Sequence, residues 1–385
     1  MGTPVGKWAG KYVIGLTGNI GTGKSVVRKM LEHLGAYGID ADALAHRVIA
    51  KGGPGYQAVI NTFGRWILDA NGEIDRSRLG RLVFADPDAL KSLEAVVHPY
   101  VLQAIDWLVQ RTKQDVVVIE AIKLIETNIH KQCDALWVTT APPEVQAARL
   151  VKTRHMSEAD ARQRIAAQPP QETKIRLAQV VIRNDSTFEA AWKQVTAAWK
   201  SIGKKYEEPA PEVRPTAVLA TLPPGPIKVE RGRPRQSKEI ADLFNRLRPN
   251  HKITSEDIMA AFGEKAFLLL SSGNVLAGVV GWQVENLVAR TTDILLDPRL
   301  PVATALKSLV EQMEAASRDL QCEASLVFVP AELSSDALWS SLGYQRRTSQ
   351  SLGVLAWQEA AQESQPEGTV LFFKQLRVDR VLRPI

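Results

Sequence analysis

The chain has 385 residues, 45% hydrophobic and 23% charged, with two cysteines and a formal net charge of +6. That length exceeds what one core usually fills, so two domains are expected, and the composition excludes general disorder. Apolar runs such as AFLLL at 266–270 fall far short of the roughly 20 residues a membrane-spanning helix needs, so no membrane partner is expected.

Residues 1–10 read as a tail without a legible secretory or lipid signal. YVIGLT (12–17) is a continuous apolar run, as in a strand buried on both faces of a parallel sheet. KSVVRKMLEHL then spaces Val27, Met30, Leu31 and Leu34 on one helical stripe that stops at Gly35. Between strand and helix, Gly18, Gly23, Lys24 and Ser25 satisfy G-x-x-x-x-G-K-S. Glycines let successive backbone N–H groups curl around phosphate oxygens, and the helix N-terminus adds free donors. Gly18, Asn19, Ile20, Gly21, Thr22 and Gly23 are therefore the expected cradle for a nucleotide's phosphates, a loop that alone allows GTPases, motor ATPases and small-molecule kinases. Lys24 would reach the β and γ phosphates, and the Ser25 hydroxyl would ligate Mg²⁺.

AYGIDADALAHRV places Asp40 and Asp42 at a strand-to-helix boundary, and residues two apart on a helix do not face the same way. One can cap the helix while the other points across the cleft to orient or deprotonate an attacking hydroxyl; the alternative is that both only cap. VVVIE (116–120) and ALWVTT (135–140) are further buried strands, so the first half is α/β with a parallel sheet. Glu120 ends its strand as a Walker B carboxylate would and is the second candidate Mg²⁺ ligand, through water; a solvent-facing strand end is the alternative. In FEAAWKQVTAAWKSI, Phe188, Trp192, Val195, Trp199 and Ile202 share one face, read as core packing. Six prolines between 209 and 226 mark a spacer, giving a first domain over 11–206, a linker over 207–226 and a second domain over 227–385.

The ordered run IGLTGNIGTGKSVV, IDADALAHRV, GGPGY, ILDANGEIDRSRLGRLVFADP, LEAVVHP, RIAAQ and VIRN resembles dephospho-CoA kinase over residues 11–203. The resemblance implies a P-loop kinase with a core sheet, a helical acceptor-binding region from about Gly52 to Val109, and a lid. It implies transfer of the γ-phosphate of ATP to the ribose 3′-hydroxyl of dephospho-CoA with Mg²⁺, in the cytoplasm. By position it makes Asp42 the catalytic base, Asp40 and His98 acceptor-side residues, and Asn184 the adenine contact. Within the lid segment 149–168, Arg149 and Arg154 are both candidates to meet the transferring phosphoryl group. EAIKLIE (120–126) departs from the family's Pro-Leu-Leu-aromatic-Glu run, with Lys123 where a leucine is usual. The alternative is another small-molecule or nucleotide kinase on the same loop.

From 227 the order changes: IKVER as a strand, helices from Lys238 and Ser255, a hairpin turning at Ser-Ser-Gly-Asn, strand TTDILLD, a long helix, strand ASLVFVP and then ALWSSLGYQRR. This α+β pattern resembles the GNAT acetyltransferase fold. The loop that would hold an acyl-CoA pyrophosphate reads DPRLPVATAL, with Pro301 and no glycine, so a degenerate binding or regulatory module is expected, with an active N-acetyltransferase as the alternative. RGRPR at 231–235 resembles an AT-hook core, but the match is short, opens a folded segment and does not recur, so nucleic acid is not an expected partner. Cys133 and Cys322 fall in different domains and suit buried thiols in a reducing compartment.

Overall fold

The computed structural model describes residues 6–154, 156–203, 222 and 225–378. Most of the expected linker, 207–226, and part of the tail lie outside the described residues.

The first region is a five-stranded parallel sheet: β1 (Tyr12–Thr17), β2 (Tyr37–Asp40), β3 (Val116–Glu120), β4 (Ala135–Thr140) and β5 (Val180–Arg183), in the order β2-β3-β1-β4-β5. The three strands read from apolar runs form as expected because helices cover both faces. Pairing of Leu16 with Glu120 and of Asp40 with Glu120 brings the C-terminal ends of β1, β2 and β3 side by side. In an open α/β sheet that edge is where ligands bind.

Helices α1 (Lys24–His33) and α2 (Ala41–Val48) leave that edge. The acceptor-side region is helical, with α3 (Tyr56–Phe63), α4 (Arg76–Ala85) and the 25-residue α5 (Pro87–Arg111). His98 and Pro99 sit inside α5, where the proline removes one helical donor. Helices α6 (Pro143–Arg154), α7 (Glu158–Ala166) and α8 (Gln171–Ile175) run back toward the loop after β1, and α9 (Phe188–Ser201) packs against α1. Val195 and Trp199 of the expected stripe are buried, whereas Phe188 also packs against the second region's core.

The second region is a seven-stranded sheet: β6 (Ile227–Arg231), β7 (Ala266–Ser272), β8 (Val275–Glu285), β9 (Val288–Leu296), β10 (Ala324–Pro330), β11 (Gln345–Arg346) and β12 (Thr369–Gln375), in the order β11-β12-β10-β9-β8-β7-β6. All its pairings are antiparallel except β9 with β10, whose parallel run needs a crossover helix. Helices α10 (Ser237–Leu247) and α11 (Ser255–Ala261) precede β7, α12 (Val302–Asp319) makes the crossover, and α13 (Asp336–Ser341) and α14 (Leu355–Ser364) follow. Gly273, with φ of 58°, turns the expected hairpin between β7 and β8. RGRPR is folded into the end of β6 and a single helical turn, with Pro234 buried.

The two regions pack on each other. Leu287, at the tip of the β8–β9 hairpin, is 8% exposed and belongs to the hydrophobic cluster of the first region. Cys322 is buried and Cys133 partly so, and burial pushes the Cys133 thiol up to about 12.

Candidate active site

Thr17 ends β1 and the chain turns through Gly18 to Gly23 before α1 starts. Gly21 and Gly23 hold φ of 73° and 85°, open to glycine at little cost. A Cβ on Gly21 would stand 2.9 Å from the Gln146 carbonyl oxygen, and one on Gly23 would collide with the Asn184 amide. These glycines thus answer to packing as well as to bare amides.

Lys24 is 8% exposed, and its ammonium donates to the Asn19 carbonyl at 3.3 Å. Burial pulls its pKa down; Glu120 and Asp42 oppose this, and Lys174 and Arg154 reinforce it. Charges from four separate segments thus converge on one lysine.

The Ser25 hydroxyl donates to Glu120 Oε1 at 3.1 Å, while Arg28 Nε donates to Glu120 Oε2 at 2.7 Å. Glu120 is 4% exposed, so it is not a solvent-facing strand end. Ser25 and Glu120 form a hard-oxygen pair that fits Mg²⁺, an ion that takes few protein ligands and fills its shell from phosphates and water.

Asp40 and Asp42 divide their work. Asp40 caps α2 by accepting from the Ala43 N–H at 2.8 Å, and burial together with the adjacent Glu120 carboxylate pushes its pKa up to about 6. Asp42 accepts from the Ile122 N–H at 3.0 Å, which ties it to the segment after β3. Burial raises its pKa too, against the pull of that N–H and of Lys24. Asp42 lines a cavity of about 230 Å³ together with His46, Leu93, Val97, His98 and Val101. Lys123, the residue that departs from the family run, lines the same cavity and pairs with Glu94 at 2.7 Å.

On the opposite side, Arg149 donates to the Gly21 carbonyl at 3.3 Å and to Asn184 Oδ1 at 3.4 Å, and Asn184 Nδ2 donates to the Thr22 carbonyl at 3.0 Å. Arg154 lies exposed at the end of α6. Every site residue named from the sequence thus falls on the loop, on the neighbouring strand ends or on the helices facing them. Three others were not foreseen. Arg28 holds Glu120. Gln168 Oε1 accepts from the Ile20 N–H at 2.7 Å. Lys174, 4% exposed, donates to the Ile122 carbonyl at 2.7 Å. RIAAQ flagged Gln168's segment without giving it a role, and Arg28 and Lys174 look like ordinary helix cations in the sequence.

In the second region the loop before α12 is closed by its own charges. Asp297 is 1% exposed and pairs with Arg299 at 2.6 Å and Arg246 at 3.6 Å, and Pro301 precedes the helix.

Residues 12–190 match the family described as CoaE, dephospho-CoA kinase. The dephospho-CoA kinase of Streptomyces avermitilis is 41% identical over 197 residues, 51% of this chain and 96% of that one. That of Aquifex aeolicus is 42% identical over 190 residues, 49% of this chain and 96% of that one. Among solved structures, an acetyltransferase of the GNAT family from Staphylococcus aureus Mu50 aligns at 12% identity and a TM-score of 0.32, covering 40% of this chain and 100% of that one. Through its first region, the chain belongs to the dephospho-CoA kinase family and is a kinase.

Proposed function

We propose that the cradle Gly18–Gly23 and Lys24 hold the triphosphate of ATP and that Asp42 aims the ribose 3′-hydroxyl of dephospho-CoA at the γ-phosphorus. The observation that carries this reading is the convergence on Lys24 of Glu120, Asp42, Lys174 and Arg154. A buried ammonium among them suits a group that gains its partners when a polyphosphate arrives.

In the proposed reaction the acceptor oxygen bonds to the γ-phosphorus, the bond to the ADP oxygen breaks, and ADP keeps the electron pair. Asp42 receives the hydroxyl proton, and the Ile122 N–H, donating to Oδ2, fixes the carboxylate in place. Lys24, Arg154 and Lys174 offset charge spread over the equatorial oxygens, with Arg149 on the Gly21 side of the loop. Ser25 with Glu120 is the pair suited to hold Mg²⁺, which would offset negative charge on the phosphate oxygens. Asn184, set against the loop, is the adenine-side residue of the proposal. Asp40 shapes the helix that carries Asp42, and His98 belongs to the acceptor cavity. With ATP as donor, a cytoplasmic location is part of the proposal.

The second region is proposed to be a GNAT-like module without acetyl transfer, because the Asp297–Arg299 pair and Pro301 occupy the loop that a pyrophosphate would need. We propose the division into domains at 11–206 and 227–385 on the two separate sheets.

The test is to incubate the full chain with ATP, Mg²⁺ and a panel of acceptors, and to read product by mass and by phosphorus NMR. Conversion of dephospho-CoA to its 3′-phosphate supports the proposal. Turnover only on a nucleoside monophosphate would reject it.

A further inference from the structure

The β8–β9 hairpin of the second region touches both arms of the kinase site. Its tip, Asn286 and Leu287, holds two successive residues at positive φ, 52° and 62°, so the hairpin turns tightly and projects its tip at the first region. Leu287 enters the first region's core, as described above.

On one side of the tip, the Val284 carbonyl accepts from Lys29 Nζ at 3.0 Å. Lys29 pairs with Glu32 at 3.1 Å, Glu32 with Arg28 at 2.6 Å, and Arg28 with Glu120 at 2.7 Å. An unbroken polar chain therefore runs from the hairpin to the carboxylate that Ser25 contacts. On the other side, the Asn286 carbonyl accepts from Arg47 Nη1 at 2.8 Å, and Glu323, wholly buried, pairs with Arg47 Nη2 at 2.6 Å. Arg47 lies on α2, five residues after Asp42. Breaking a buried pair by removing one partner leaves a charge without its carboxylate, so losing Glu323 weakens the anchoring of α2 to the second region.

We propose that the hairpin Val284–Leu287, backed by Glu323, is a positioning element of the kinase: it fixes α2, and with it Asp42, and braces Glu120 through Arg28. Glu323 is a positioning residue, since it acts through Arg47 and touches no substrate. This rests on the kinase reading given above and extends it to a region that the family match over 12–190 does not include.

The experiment uses the full chain, with ATP and dephospho-CoA saturating and kcat expressed per nucleotide-binding site, titrated with a fluorescent ATP analogue. In Glu323→Ala, kcat falls about tenfold or more while KM for ATP stays within about twofold, because misplacing the base costs turnover and leaves the phosphate cradle intact. Arg47→Gln gives a similar loss, and the double variant is no worse than the worse single, because the two act as one unit. Asp319→Asn, which breaks the exposed pair between Lys113 and Asp319 across the same interface, keeps the wild-type kcat. Leu287→Ala repeats the kcat loss and serves as the second variant if Glu323→Ala does not fold. Wild-type kcat per site in Glu323→Ala or Leu287→Ala, or losses in the two single variants that multiply in the double, would overturn the proposal. If the wild type itself fails to phosphorylate dephospho-CoA, the kinase reading is what fails.

Discussion

Two strand-to-helix loops in this chain stand in comparable places and are built in opposite ways. After β1 the loop carries glycines at positive φ, and a lysine waits buried at the helix start. After β9 the loop carries Pro301 and fills itself with the Asp297–Arg299 pair. An anion site needs amides that nothing else has taken and a cation whose partner is still to come. The first loop supplies glycine backbone and a buried lysine, with its Ile20 N–H already held by Gln168, whereas the second has satisfied its charge internally.

The comparison breaks first at Lys24. Lys24→Ala is expected to lower kcat by about 10²–10³, the usual cost of losing one fixed donor to the transition state. Arg299→Ala in the other loop should leave kinase turnover within about twofold; equal losses in steady-state assays would erase the contrast.

Next comes the loop's own conformation. Gly21→Ala puts a Cβ against the Gln146 carbonyl at a φ of 73°, and the expected destabilisation is about 1–3 kcal/mol. Urea unfolding curves measure it, and an unchanged midpoint would mean that the glycine is dispensable.

A smaller effect lies where the regions meet. His33 Nε2 donates to the Phe262 carbonyl at 2.7 Å, and its ring meets those of Phe262 and Trp192 edge-on. Burial, with Arg231 adding to it, pushes its pKa down to about 3 from an ordinary 6.5. The folded state thus binds fewer protons there than the unfolded one. Stability from this group is complete above about pH 6.5 and falls as pH drops toward 3, by roughly 1 kcal/mol at the first unit below the ordinary value. Thermal melts between pH 7.5 and 5.5 should show the loss, and His33→Gln should flatten it; an equally steep profile in the variant would remove His33 as the cause. The smallest effect is expected from Arg149→Gln, whose two long hydrogen bonds predict a rise in KM for ATP of about threefold, read from initial rates.

Much of the first region was legible because its signals are local. The runs at 12–17, 116–120 and 135–140 are strands, Lys24–His33 is a helix, and the loop between them carries its motif in eight consecutive residues. The roles of Asp40 and Asp42 were legible as a pair and separable only in space, since the Ala43 and Ile122 N–H groups decide which caps and which faces the cavity. The Ser-Ser-Gly-Asn turn was likewise local.

The contact between the regions was not legible. Lys29 and His33 fall outside the apolar stripe of their helix, and no motif in the sequence marks Arg47, Asn286 or Leu287. Their partners lie more than 200 residues away in sequence, and no periodicity encodes such a pairing. Lys174 was missed for the same reason: its buried ammonium reaches the Ile122 carbonyl across 52 residues.

The most direct measurement is turnover of dephospho-CoA by Asp42→Asn beside the wild type, with ATP binding measured on the same samples. The expected result is a kcat lower by about 100-fold or more at unchanged nucleotide affinity, as for loss of a general base. Full turnover by the variant would contradict the assignment of the base and leave Asp42 a helix-end residue only.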